Sequence, residues 1–284
     1  MATVAPLSTR SGRVKAARKL ARRPSRAERR LFLAEGSKAL AEALSVPGCV
    51  VEVFATPDAS SRYDGQRASV TAAGLPWIVV DEPALASLSE TVTPQGIVTT
   101  CRFLDRPLTD VLVSTLRRGS GQAGAATAGT RLVAVCADVR DPGNAGAVIR
   151  CADAAGADAV VLTGNSVDPY NGKTVRATVG SLFHLPLSLE DDPAATVATL
   201  RERGLTVLAA DGTGETDLDD AADDGLLARP TAWLFGNEAW GLPSELAALA
   251  DHRVRIPIHG RAESLNLSTA AAVCLYASAR AQRR

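Results

Sequence analysis

The stretch RLVAVCADV, Arg131 to Val139, limits what this chain can fold into more than any other. It is a nearly unbroken apolar run of strand length, and a strand of that kind belongs in a parallel sheet covered on both faces. A parallel strand needs a crossover, and the next residues supply one. Pro142 and Gly143 turn the chain, and Asn144 has a side chain suited to capping a helix. A helical segment carrying Gly146, Ile149 and Arg150 then leads to a strand at Ala159–Leu162. Similar units recur: a helix at Ala194–Arg203 before a strand at Leu205–Ala210, a strand at Ala232–Phe235 with a helix after Pro243, and a strand at Val254–Ile256. The C-terminal half therefore reads as α/β with a parallel sheet. Asp168–Leu187 reads as a loop, a helix bearing Lys173 and Arg176, and a strand near Phe183, and the acidic stretch Asp217–Asp224 as a solvated loop. The glycines after Val139 do not fit GxGxxG, so an oxidoreductase binding a dinucleotide lacks its fingerprint.

The N-terminal half carries a different signal. Lys plus Arg and Asp plus Glu number 31 each, but residues 1–30 hold ten of the bases and one acid, a surplus of +9 that leaves −9 on the remainder. In Ser11–Arg23, Val14, Ala17 and Leu20 fall on one side at helical spacing, which predicts a short amphipathic helix. Arg13, Lys15, Arg18, Lys19, Arg22 and Arg23 surround that stripe as a cationic face suited to a polyanion. Pro24 and Ser25 interrupt it. Strands are expected at Leu31–Gly36, Val50–Thr56, Pro76–Val80 and Gly96–Leu104, with helices at Ser37–Leu44, 60–73 and Pro83–Leu88. Residues 117–130, RRGSGQAGAATAGT, contain no large apolar side chain and read as a linker. The expected division is a basic segment at 1–30, a small α/β domain at 31–116, the linker, and a second domain at 131–284.

The five cysteines include no CxxC pair and no histidine cluster to complete a metal site, and they suit the core of a reduced, cytoplasmic protein. Neither a signal peptide nor a membrane span of about 18 apolar residues is found.

Three strand ends carry the polar residues. The first holds Asn144 and Arg150; the second is Gly236-Asn237-Glu238. The third, after Pro257 and Gly260, is Ser264-Leu265-Asn266 at the start of a small-residue helix, where free N–H groups suit a polar ligand. In order, NAGAVIR, LFGNEAWGLP and IPIHGRAESLNLSTAAA resemble the three signature motifs of the SpoU (TrmH) family of RNA ribose 2′-O-methyltransferases, within the SPOUT class. The resemblance covers about residues 131–282, and the N-terminal half resembles the RNA-binding substrate domain that precedes many such enzymes.

The resemblance implies a C-terminal trefoil knot, an exception to unknotted topology. It also implies S-adenosylmethionine held by Gly236, Asn237, Ile256, Ser264, Leu265 and Asn266, no metal, and a homodimer formed through the knot. Arg150 is the implied catalytic centre, with Asn144, Glu238, Ser264 and Asn266 around it and Glu238 orienting Arg150 or Asn266. Two roles for Arg150 stay open, general base or a charged clamp on phosphate and developing alkoxide. The first requires a guanidinium lowered from above 12 toward 8, about 6 to 7 kcal/mol at ~1.4 kcal/mol per unit. His259 matches no motif position. The N-terminal cations, with Lys173 and Arg176, would hold the RNA, expected to be 23S ribosomal RNA. Transfer RNA and a non-catalytic RNA-binding or assembly factor are the alternatives.

Overall fold

The computed structural model describes residues 5–115 and 130–283. The chain forms two compact units, Met1–Leu104 with Asp168–His184, and Asp105–Val167 with Leu185–Arg284. Except for Thr130, the expected linker lies outside the described residues.

The first unit begins with α1 (Gly12–Arg18), a 3-10 turn at Lys19–Ala21 and α2 (Arg23–Arg29). The expected stripe is real, with Val14, Ala17 and Leu20 all buried. Around Pro24 the chain forms a second helix instead of passing directly into a strand, because proline is tolerated in a first helical turn. Then come β1 (Leu31–Glu35), α3 (Ser37–Leu44), β2 (Val50–Ala55), α4 (Pro57–Arg62), α5 (Asp64–Ala72), β3 (Trp77–Val79), α6 (Glu82–Ala86) and β4 (Ile97–Arg102). The sheet order is β1-β4-β2-β3, with β4 antiparallel to both neighbours and β3 parallel to β2.

Residues 168–184 belong to this unit, although the chain reaches them only after much of the second. They contribute α9 (Gly172–Thr178) and a 3-10 turn at Ser181–Phe183. Tyr170 stacks on Phe103 at 3.9 Å between centroids and lies 4.9 Å from Phe32, and its hydroxyl accepts the Leu104 N–H at 2.8 Å. The strand expected near Phe183 is displaced to Leu187–Glu190, because Val179 and Gly180, at φ 52° and 102°, turn the backbone out of any extended path.

The second unit contains α7 (Leu108–Thr115), β5 (Leu132–Ala137), α8 (Pro142–Ala155), β6 (Ala159–Thr163), β7 (Leu187–Glu190), α10 (Pro193–Glu202) and β8 (Thr206–Ala210). After these come β9 (Thr216–Asp217), α11 (Leu218–Asp223), β10 (Thr231–Phe235), α12 (Ser244–Ala247), β11 (His252–Arg255) and α13 (Leu267–Gln282). All neighbouring strands pair in parallel in the order β7-β6-β5-β10-β8-β11-β9. Every residue of β5, β6 and β10 is buried, as the apolar run from Arg131 demands. The acidic stretch is a helix rather than a loop: Asp217 caps it by accepting the Asp219 N–H, and Leu218 and Ala221, three apart, bury one face. Trp233 is fully buried on β10 and donates its indole N–H to Ser278 Oγ at 2.9 Å, which ties α13 to the sheet.

Candidate active site

Three carboxyl-terminal strand edges of the second unit build the site. At the end of β5, Asp138 takes φ 55°, a conformation short polar side chains tolerate. Its carboxylate accepts the Asn165 N–H at 2.7 Å and its carbonyl accepts Asn237 Nδ2 at 2.7 Å. Asp141, not Asn144, caps α8: its Oδ1 accepts the Asn144 N–H at 2.8 Å, with Pro142 in the first turn. Asn144 is therefore the third helical residue, and its side chain is left to reach outward.

The second edge follows β10. Asn237 and Gly241 exchange two backbone hydrogen bonds of 2.9 Å, closing a tight turn with Gly241 at φ 70°. A Cβ on Gly236 would run into the Gly241 carbonyl and the Leu242 nitrogen, so the turn needs glycine there. Glu238 projects from it and accepts three hydrogen bonds, from the Arg140 N–H at 3.3 Å, the Asp141 N–H at 3.1 Å and Asn144 Nδ2 at 3.2 Å.

The third edge precedes α13, which begins at Leu267 and not at Ser264. Asn266 is the cap, its Oδ1 accepting Ser268 N–H at 2.9 Å and Ser268 Oγ–H at 2.6 Å, while Asn266 Nδ2 donates to Asn144 Oδ1 at 3.1 Å. An unbroken chain of side chains, Glu238 to Asn144 to Asn266, thus joins all three motifs. Among the described residues, no backbone hydrogen bond engages 257–265, a segment largely open to solvent. Its peptide groups are available to a polar ligand, as a cofactor gripped through main-chain atoms requires.

The expected residues divide accordingly. Asn144, Glu238 and Asn266 meet directly; Ser264 and Leu265 are exposed in the loop, Gly236 and Asn237 are buried in the turn, and Ile256 is half-buried just beyond β11. Of the two partners expected for Glu238, Asn266 is reached through Asn144, and Arg150 makes no hydrogen bond or ion pair with it. Arg150 lies six residues past Asn144, about 120° around the helix, exposed and without a hydrogen bond or ion pair to any described residue. His259 is exposed in the loop, and His184 pairs with Glu42 at 3.0 Å.

Among the cations expected to hold RNA, Lys15, Arg18, Lys19, Arg22 and Arg23 are exposed on the first unit. Arg13 is engaged with Glu52 at 2.6 Å, and Arg176 with Glu35 at 3.0 Å and Glu90 at 3.4 Å. These two are partly neutralised where the sequence suggests free charges. Lys173 is exposed on α9. Arg26, in the same basic run, is buried against Asp168 and serves the fold.

Burial pushes the Cys136 thiol, on β5, up to about 12, with Glu238 adding to the shift. Among the described residues no group of His, Cys, Asp and Glu side chains could hold a metal, and no helix is long and apolar enough to cross a membrane.

Sequence reasoning missed Asp141, Arg140 and Trp240. The Asp-Pro pair signals the first. The guanidinium of Arg140 lies 5.1 Å from the Trp240 ring, and only the exposed tryptophan within GNEAWG hints at it.

Residues 131–276 match the SpoU rRNA Methylase family, and residues 12–99 match the MRM3-like substrate binding domain. The chain is 32% identical over 271 residues to 23S rRNA (guanosine(2553)-2′-O)-methyltransferase RlmP of Bacillus subtilis, covering 95% of this chain and 96% of that one. Its fold matches an AdoMet-bound rRNA methyltransferase from Sinorhizobium meliloti with a TM-score of 0.79, 30% identity and 97% of each chain covered. It also matches the SpoU methyltransferase AviRb from Streptomyces viridochromogenes in complex with AdoMet, with a TM-score of 0.80, 26% identity, 96% of this chain and 98% of that one. With three strand edges joined through the residues of all three motifs, and with relatives along nearly its whole length, this chain belongs to the SpoU rRNA methylase family.

Proposed function

We propose that the protein transfers a methyl group from S-adenosylmethionine to a ribose 2′-hydroxyl of 23S ribosomal RNA. The observation that carries this reading is the Glu238–Asn144–Asn266 chain, which fixes the three motif loops to one another. Gly236, Asn237, Ile256, Ser264, Leu265 and Asn266 would hold the cofactor, and the free peptide groups of 257–265 fit that task. The bound cofactor supplies an electrophilic methyl group on a sulfonium, which needs no metal.

The chain's own part is to position the ribose and balance charge. Arg150, exposed and without a counter-ion among the described residues, clamps an RNA phosphate and stabilises the alkoxide that develops at the 2′-oxygen. Glu238 holds the first loop against the turn through two backbone N–H groups, and it orients Asn144 rather than Arg150. Ser264, two residues before the Asn266 cap and exposed, would meet the cofactor or the ribose from the third loop. The exposed cations of α1 and its continuation, Lys15, Arg18, Lys19, Arg22 and Arg23, supply the salt-dependent part of RNA binding, with smaller parts for Arg13, Lys173 and Arg176.

The same reading includes the trefoil knot, a division of labour between an N-terminal RNA-holding part and residues 131–284, and a cytoplasmic setting, which suits five free cysteines. It also includes pairing of two copies. Val273 and Tyr276, three apart on α13, and Leu265 before it are exposed apolar side chains suited to that contact.

Methyl transfer from labelled cofactor to total RNA from a strain lacking the gene tests the reading, with Arg150→Ala in parallel. Label at one ribose of 23S RNA, lost in the variant, is expected. Cofactor binding without transfer to RNA or ribosomal subunits would favour a binding factor, and no cofactor binding would refute the transferase.

A further inference from the structure

Of the chain's three tryptophans, Trp233 is wholly buried, Trp77 is half-buried, and Trp240 is 55% exposed. A single exposed aromatic side chain needs no explanation by itself. Trp240, however, lies within the turn closed by Asn237 and Gly241, so a rigid backbone carries it. Its neighbour Glu238 binds the Arg140 N–H, and the Arg140 side chain returns to lie over the indole, 5.1 Å from the ring centroid. No carboxylate among the described residues pairs with that guanidinium. An indole with an unneutralised guanidinium on it, the arginine tied by its N–H to the carboxylate that joins the motifs and the indole two residues beyond that carboxylate, is the chemistry that recognises an unstacked base next to a phosphate.

We propose that Trp240 and Arg140 form a stacking site for a nucleobase of the RNA substrate. Trp240 offers the aromatic surface, and Arg140 extends the platform and draws in the phosphodiester. Stacking discriminates weakly among bases, because every base has a π-face. The pair therefore holds a base splayed out of the RNA, so that a ribose can be presented, and leaves sequence selection to other contacts. The proposal rests on the reading of the protein as an RNA methyltransferase.

The test uses the full chain with in-vitro-transcribed 23S ribosomal RNA, measuring methyl-transfer kinetics, S-adenosylmethionine affinity and indole emission. Emission is read in a Trp77→Phe background, so that Trp240 is the one tryptophan open to solvent. Trp240→Ala is expected to lower kcat/KM by about 5- to 150-fold, the range that loss of one base stack gives, with cofactor affinity unchanged. Trp240→Phe, which can still stack, recovers most of the loss, and Arg140→Ala raises KM and flattens the salt dependence of binding. RNA quenches the emission, and the quench disappears with Trp240→Phe.

Wild-type kinetics in Trp240→Ala with no RNA-dependent quench would overturn the proposal. So would weakened cofactor binding at an unchanged RNA KM, or emission that changes with protein concentration in the absence of RNA, which would place the indole between copies of the chain. Quenching by RNA without any methyl transfer by the wild type would support the platform while refuting the transferase reading.

Discussion

Replacing Arg26 separates a structural arginine from the cations that hold RNA. Arg26 is 4% exposed, and its guanidinium makes four hydrogen bonds. Nε and Nη2 donate to Asp168 Oδ2 at 2.9 and 2.6 Å, and Nη1 donates to the Leu20 and Ala21 carbonyls at 2.9 and 2.8 Å. Arg26→Ala leaves the Asp168 carboxylate, whose side chain is 12% exposed, without its cation and removes the donor to the Leu20 and Ala21 carbonyls of the 3-10 turn. Breaking a buried pair from one side costs about 3 to 5 kcal/mol. For a unit of this size, at roughly 4 °C per kcal/mol, the melting temperature should fall by about 12 to 20 °C. Arg26→Lys should recover little, since a single ammonium cannot reproduce a fork that serves an aspartate and two carbonyls. Arg22→Ala and Arg23→Ala, at exposed positions, should shift melting by about 2 °C or less while weakening RNA binding. Calorimetry of the full chain, with filter binding of RNA at two salt concentrations, reads both effects. An Arg26→Ala protein that melts within about 2 °C of wild type would refute the reasoning.

Three further outcomes are expected at the site and in the core. Glu238→Gln keeps one acceptor oxygen and sets an amide against backbone donors, so kcat/KM should fall by about 10-fold, and Glu238→Ala, which loses all three bonds, should fall by about 100-fold at ~1 kcal/mol per bond; equal activity in the alanine variant would contradict the positioning role. Gly236→Ala forces a Cβ into the Gly241 carbonyl and should abolish S-adenosylmethionine binding by calorimetry while leaving the N-terminal unit's melting transition in place. Burial raises the thiols of Cys101, Cys136 and Cys274, desolvation also raises half-buried Cys151, and Cys49 is lowered but buried. A raised thiol holds less thiolate at any given pH, so iodoacetamide at pH 8 should leave the native protein nearly unmodified by mass spectrometry and label all five cysteines after denaturation.

Much of this fold is written locally. LFLAEG followed by Ser37 gives β1 and α3 almost to the residue, and the apolar run from Arg131 gives β5, because burial on both faces leaves no other use for it. The cap positions are less legible. Ser264 and Asn266 are both competent caps before the same small-residue run, and only the bond from Asn266 to Asn144 in three dimensions selects between them. Asn144 reads as a cap for the same reason, although Pro142 already marks Asp141. The meeting of Asn144, Glu238 and Asn266 comes from the motifs and not from periodicity. The fate of Arg26 has no local sign at all, since its partner stands 142 positions away in the sequence.

The segment 168–184 has a consequence for how the protein is made. Synthesis reaches Phe32 and Phe103 early, but Tyr170, which stacks between the two halves of that aromatic cluster, and Asp168, which neutralises Arg26, emerge only after β5, α8 and β6. The unit translated first is thus completed only after β5, α8 and β6 of the other have been made, and its aromatic cluster lacks Tyr170 while the sheet of that other unit begins to assemble. A gene break at the linker would separate neither unit intact, so recombination cannot exchange the RNA-holding part of this chain as a cassette unless it carries a piece of the downstream coding sequence with it.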